Sequence, residues 1–119
     1  MKTILKVLGF AVAAAGLAWT TSASALTFTV ANTNDARPGS LRQAVLDANA
    51  SAGADVIDFG VTGTIVLTTG ELVTTESVAI NGPGSSRLTV SGNNASRIFR
   101  LDGTTPKSVT INSMTITGG

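Results

Sequence analysis

From Leu26 onward the chain alternates short apolar clusters with polar, glycine- and asparagine-rich breaks. Leu26 to Val30 places Leu, Phe and Val at every second position, the period-2 pattern of a strand with one buried face. Asn32-Thr33-Asn34-Asp35 and Pro38-Gly39 interrupt it, and both clusters favour turns because Asn and Asp bond their own backbone while Pro and Gly fix unusual dihedrals. The segment Ser40 to Asn49 then changes period. Leu41, Ala44, Val45 and Ala48 fall at i, i+3, i+4 and i+7, predicting a helix of two to three turns with Arg42, Gln43, Asp47 and Asn49 on its other side. Ser40 with Gln43 has the spacing of a capping box, in which the serine oxygen accepts from the third helical amide and the glutamine reaches back. Ser51 to Gly53 ends the helix.

Beyond Asp55 the apolar clusters align as repeats. Ile57, Ile80 and Ile111 form one column, Val66, Val90 and Ile116 a second, and Leu72 and Phe99 a third. Members of a column lie roughly 23 to 31 residues apart, the range of repeat architectures. Three short strands in each repeat are what one coil of a parallel β-helix requires. The first column is looser because Gly82 to Arg87 adds a loop. Within the strands, period two turns Val78 with Ile80, Leu88 with Val90, Phe99 with Leu101, Val109 with Ile111 and Met114 with Ile116 inward. Ala79, Thr89, Arg100, Thr110 and Thr115 then face outward, where Thr and Asn at equivalent sites can form ladders between coils. An antiparallel sandwich is the competing arrangement, and the scarcity of two-residue hairpin turns argues against it. The expected fold is therefore an all-β parallel solenoid with an N-terminal strand and a short amphipathic capping helix.

The first 25 residues follow a different plan. Lys2 and Lys6 precede an apolar stretch from Val7 to Trp19, and the segment ends Ala23-Ser24-Ala25. This is the three-part pattern of a secretory signal peptide with a small-x-small cleavage site, which places the mature start at Leu26. The apolar run of roughly 13 residues falls short of the ~20 a spanning helix needs, so no membrane span is expected after cleavage. The expected organisation is residues 1–25 as signal peptide, 26–54 as cap and 55–119 as the first coils of the solenoid. The expected location is the exterior or the cell surface, with the bacterial outer membrane as one such address.

Composition removes several functions. Without the leader, six basic residues face seven acidic ones, leaving about one net negative charge and no electrostatic footprint for nucleic acid. Cysteine and histidine are absent, so a Ser-His-Asp triad, a Cys-His dyad, the usual zinc sites and disulfide staples are excluded. A small domain without disulfides must gain its core by stacking, and at this size one core is marginal. Either the fold continues past Gly119 or another chain covers that end.

The segment NTNDARPGSLRQAVLDANASAGADVIDF, followed by GTIVL, SVAINGPG, LTVSGNN and VTINSMTITGG, resembles the N-terminal part of bacterial exported right-handed parallel β-helix proteins. In particular, GSLRQAVLDAN is similar to the Cys-Ser-Leu-Arg-Glu-Ala motif of CSLREA-type domains, with Gly39 in the Cys position and Gln43 in the Glu position. The resemblance covers nearly all of the chain after the leader. It implies a large surface or secreted protein of the kind that includes polymorphic outer-membrane proteins and autotransporter passengers. The same solenoid hosts lyases, hydrolases and adhesins, so the motif specifies fold more than activity.

Candidate chemistry is sparse. Pectate-lyase-like solenoids bind calcium through clustered carboxylates and use a basic residue as general base, which draws attention to Asp55, Asp58 and Asp102 with Arg100. Asp55 and Asp58 bracket Val56-Ile57 and point to opposite faces of a strand, so solvated or corner-capping carboxylates are the better expectation. Asn32, Asn34 and Asp35 could offer oxygens to calcium but lack a calcium-loop spacing, and a hydrogen-bonded turn is expected instead. Arg87, Arg97 and Arg100 could touch acidic polysaccharide or form a solvated face. The remaining aromatics, Phe28, Phe59 and Phe99, suit the core rather than a sugar platform. No catalytic residue, metal ligand or cofactor is therefore expected. The leading expectation is a structural or surface-interaction segment whose partners are further coils and extracellular polysaccharide or protein ligands; a fragment of a polysaccharide lyase or glycoside hydrolase is the alternative.

Overall fold

The computed structural model describes residues 25–103 and 105–119. The proposed leader, residues 1–25, lies outside the described residues but for Ala25. The elements are β1 (Thr27–Val30), α1 (Leu41–Asn49), β2 (Asp55–Phe59), β3 (Gly63–Val66), β4 (Leu72–Thr74), β5 (Val78–Asn81), β6 (Leu88–Ser91), β7 (Phe99–Leu101), β8 (Val109–Asn112) and β9 (Thr115–Thr117). They form three sheets ordered β1-β2-β5-β8, β3-β6-β9 and β4-β7. Every strand pairing is parallel, which excludes the antiparallel sandwich. The chain thus visits the three sheets in turn and returns to the first, a β-solenoid of about three turns.

Two of the three columns lie in the register expected from the sequence. Ile57 pairs with Ile80 and Ile80 with Ile111, while Leu72 pairs with Phe99. The second column is shifted by one residue: Ile65, not Val66, pairs with Val90, which pairs with Ile116. Ile65 is fully buried and Val66 is 38% exposed. A one-residue slip exchanges the two faces of a strand, so the difference decides which side chain enters the core. Leu67, two positions on, is buried beside Ile65 in the same cluster.

The core runs from the cap through the second coil. Val30, Leu41, Ala44, Val45 and Ala48 join Ile57, Ile65, Leu67, Leu72, Val78, Ile80, Leu88, Val90 and Ile98 in one cluster, with Phe28, Phe59 and Phe99 packed partly against it. The inward pairs of β5 and β6 are buried as expected. Further along they thin out: Val109, Ile111 and Met114 are partly buried, whereas Leu101 is 60% and Ile116 is 44% exposed. Ile98, one residue before β7, is buried instead, although Leu101 lies in register with buried Thr74.

Ladders on the outside tie coil to coil. Asn112 Nδ2 donates to Asn81 Oδ1 at 2.9 Å, and Thr29 Oγ1 donates to Asp58 Oδ1 at 2.6 Å. The loop after β5 is shaped by the coil above it. The Gly82 and Gly84 amides donate to the Asn112 and Ser113 carbonyls, and a Cβ on Gly82 would stand 2.2 Å from Ser113 O. That obstacle is backbone and cannot rotate away. Gly82→Ala is expected to cost about 1–3 kcal/mol, as overpacking does, read as a lower urea midpoint with an unchanged m-value.

Candidate functional site

The most developed arrangement of polar side chains lies where the cap meets the first coil. The turn after β1 closes on itself: Asn34 N donates to Asn32 Oδ1 at 3.1 Å, Asn32 Nδ2 to Pro38 O at 3.1 Å, and Ala31 N to Gly39 O at 2.8 Å. Gly39 has φ +86°, and a Cβ there would meet Asn32 Nδ2 at 2.6 Å. Glycine therefore suits this turn.

The helix starts as a capped helix, with a correction to the capping box. Ser40 Oγ accepts from Gln43 N at 3.1 Å. Gln43 does not reach back; its Nε2 donates to Asp47 Oδ1 at 2.9 Å. The Ser40 amide is already used, donating to Arg37 O at 3.1 Å, so the return bond has no donor to meet. Leu41, Ala44, Val45 and Ala48 form the buried face as expected.

Arg42 and Asn49 depart further from the sequence expectation, which left them on the outer side of the helix. Both are half-buried and clasp the first coil. Arg42 Nη1 donates to Glu71 O at 3.0 Å, and Nη2 donates to Gly70 O at 2.7 Å and to Asp35 Oδ1 at 3.0 Å. Its Nε donates to Asp35 O at 3.2 Å. Two turns along the helix, Asn49 Nδ2 donates to Val73 O at 2.7 Å while its Oδ1 accepts from Thr75 N at 2.9 Å. The clasp meets backbone groups on and beside β4 that a neighbouring strand would otherwise pair. In this sense α1 replaces a strand at the lower edge of the β4-β7 sheet.

Asp35 completes the clasp. Besides Arg42, its Oδ1 accepts from Thr68 N at 3.0 Å and its Oδ2 from Thr69 Oγ1 at 2.6 Å. Burial alone would raise its pKa, but the hydrogen bonds from Thr69, Arg42 and Thr68 and the Arg42 charge outweigh it and hold the carboxyl at about 2. These partners leave Asn32 and Asp35 committed to a turn and a latch.

The other residues singled out in the sequence do not converge. Asp55 lies inward and buried at the start of β2, and Asp58 faces outward to Thr29. Inward burial of Asp55 corrects the expectation of a solvated or corner carboxylate. Asp102 follows β7 on another sheet, with Oδ2 3.3 Å from Arg100 Nη1. Arg97 and Arg100 place Nε atoms 2.8 and 2.7 Å from the two oxygens of Glu71, the latter as an ion pair without hydrogen-bond geometry. Arg87 packs against Gly84, one residue before β6. Among the described residues no group of three or more acidic side chains is placed to hold a metal ion, and no helix is long and apolar enough to cross a membrane.

No protein-family model, curated protein or solved structure matches the chain. The architecture and the cap are therefore read from this chain's own residues.

Asp35 gives the clasp a pH signature. A folded pKa of about 2, below the ordinary 3.8, means that the folded state favours the carboxylate. Its contribution is fully present above about pH 4 and is lost as pH falls toward 2. Asp35→Asn is expected to destabilise by on the order of 1 kcal/mol at pH 7, with the gap to the wild type closing near pH 2, measured by urea unfolding across that range. Arg42→Ala, which takes the donor from the Gly70 and Glu71 carbonyls and the ion pair from Asp35, is expected to cost about 2–3 kcal/mol at pH 7.

Proposed function

We propose that this chain is the exported, N-terminally capped beginning of a right-handed parallel β-helix in a secreted or cell-surface protein, acting as a structural or surface-interaction segment of adhesin or autotransporter-passenger type. The observation that carries the reading is the helical cap on the first coil. At the first coil, α1 buries Leu41 and Val45 against the interior and spends Arg42 and Asn49 on the backbone beside β4. Along β4, an edge met by a helix and polar clasps cannot template strand addition, and capping elements of this kind stand at solenoid ends. Right-handedness agrees with the strong preference of strand–crossover–strand units in a parallel sheet. Export agrees with the charged, apolar and small-residue order of residues 1–25.

A lyase or hydrolase site is not supported by these residues, because Asp55, Asp58 and Asp102 lie on different faces or sheets. The interaction partners are extracellular polysaccharide or protein ligands, met along the outer faces of the coils.

Fractionating cells that express the whole chain tests the export reading: the protein should appear outside the cytoplasm in a shortened form, and full-length cytoplasmic protein would overturn it. Capping is tested separately. Leu41→Asp or Val45→Asp places a charge in the sealed interior and is expected to cost on the order of 4 kcal/mol or more. Sedimentation should show aggregation of these variants, with Leu46→Asp on the exposed side of α1 as the soluble control. Unchanged melting and solubility in the Leu41 and Val45 variants would remove the capping role.

A further inference from the structure

β2 opens with a carboxylate turned into an apolar column. Asp55 is 1% exposed, and its register partners in the next two coils are Val78 and, through it, Val109. Asp55 has no cationic partner among the described residues. Its Oδ1 accepts from the Leu26 backbone nitrogen at 3.0 Å, while Oδ2 has no hydrogen-bond partner among the described residues. Leu26 is also fixed from its other side, its carbonyl accepting from Val56 N at 2.8 Å. The nitrogen is therefore held against a buried carboxylate that has one oxygen to spare.

Burying a carboxylate is costly unless it is paired and its lone pairs are met. An amide nitrogen brings a single hydrogen and no charge. The bond between Ala25 and Leu26 is the one that the small-x-small pattern marks for cleavage. Its hydrolysis breaks the Ala25 C–Leu26 N bond, transfers the hydroxyl of water to the Ala25 carbonyl carbon and a proton to the nitrogen. With a further proton from solvent, the Leu26 nitrogen becomes an α-ammonium with three N–H donors and a positive charge. We propose that Asp55 is the receptor for this new N-terminus, so that removal of residues 1–25 completes an ion pair inside the first coil and locks β1 onto β2. The proposal rests on the export reading, and it explains why the one position of this column next to Leu26 is acidic where the following coils use valine.

The test has two independent arms. Intact mass of the exported product locates the cleavage; a start at Leu26 is expected, and any other start overturns both the processing site and the lock. The lock itself is read in vitro, from chains released from a removable fusion partner to begin at Leu26 or at Ala23, each with Asp55 or with Asp55→Asn. The chain beginning at Leu26 should have a folding equilibrium constant roughly tenfold or more above the chain beginning at Ala23, the scale of a hydrogen bond to a charged group. Asp55→Asn should abolish that difference. If the Asn variant does not fold, Asp55→Val, matching the next coils, takes its place. Equal stability of the two wild-type chains, whether folded or unfolded, overturns the lock even if cleavage occurs after Ala25. A difference that survives replacement of Asp55 also overturns it.

Discussion

A stack of parallel coils has no hairpin to close its ends: each terminal strand leaves a row of backbone donors and acceptors unpaired, and the apolar interior opens to water beside it. In this chain the clasp of Arg42 answers that constraint at β4. One guanidinium satisfies the Gly70 and Glu71 carbonyls and the Asp35 carboxylate, while its helix lays Leu41 and Val45 over the opening. A planar group with several fixed donors suits this task in a way a lysine ammonium does not. The turn that holds Asp35, the capped start of the helix and the placing of Asn49 two turns later all serve the same closure.

The sequence shows the coils more plainly than the clasp. The isoleucine column is legible because Ile57, Ile80 and Ile111 recur at repeat spacing and the strands around Ile80 and Ile111 place Val78 and Val109 two positions before them. Ile65-Val66-Leu67 offers three apolar residues in a row and no phase at all. Its register is set by tertiary contacts, including the Leu67 amide bonded to Ser91 O and the Thr68 amide bonded to Asp35. Leu101 misleads for another reason: it ends a strand only three residues long and is left exposed, while Ile98 just before that strand is buried.

Arg42, Asn49 and Asp55 are the polar residues that sequence reasoning placed wrongly, and the cause is common to all three. Helical and strand periodicity separate an apolar face from the rest, but they do not show where unpaired carbonyls or amides of another coil come within reach. The helix has polar residues on both flanks of its apolar stripe. Only the approach of β4 distinguishes Arg42 and Asn49 from the exposed Asp47. For Asp55 the deciding neighbour is the Leu26 nitrogen, which lies 29 positions away in the chain.

Glu71 shows how the closed end is joined to the coils beyond it. Its backbone carbonyl accepts from Arg42 of the cap, and its carboxylate faces Arg97 and Arg100 of the second coil. The two halves of this connection differ in strength. Arg42 is 17% and Asp35 14% exposed, whereas Arg97 is 67% and Arg100 41% exposed, so solvent and salt weaken the outer pairs far more. The buried core has the same gradient, dense beneath the helix and thinner toward β8 and β9. In a solenoid, where each coil leans on its neighbours, such a gradient makes the cap and first coil the most persistent unit and lets opening begin at the far edge.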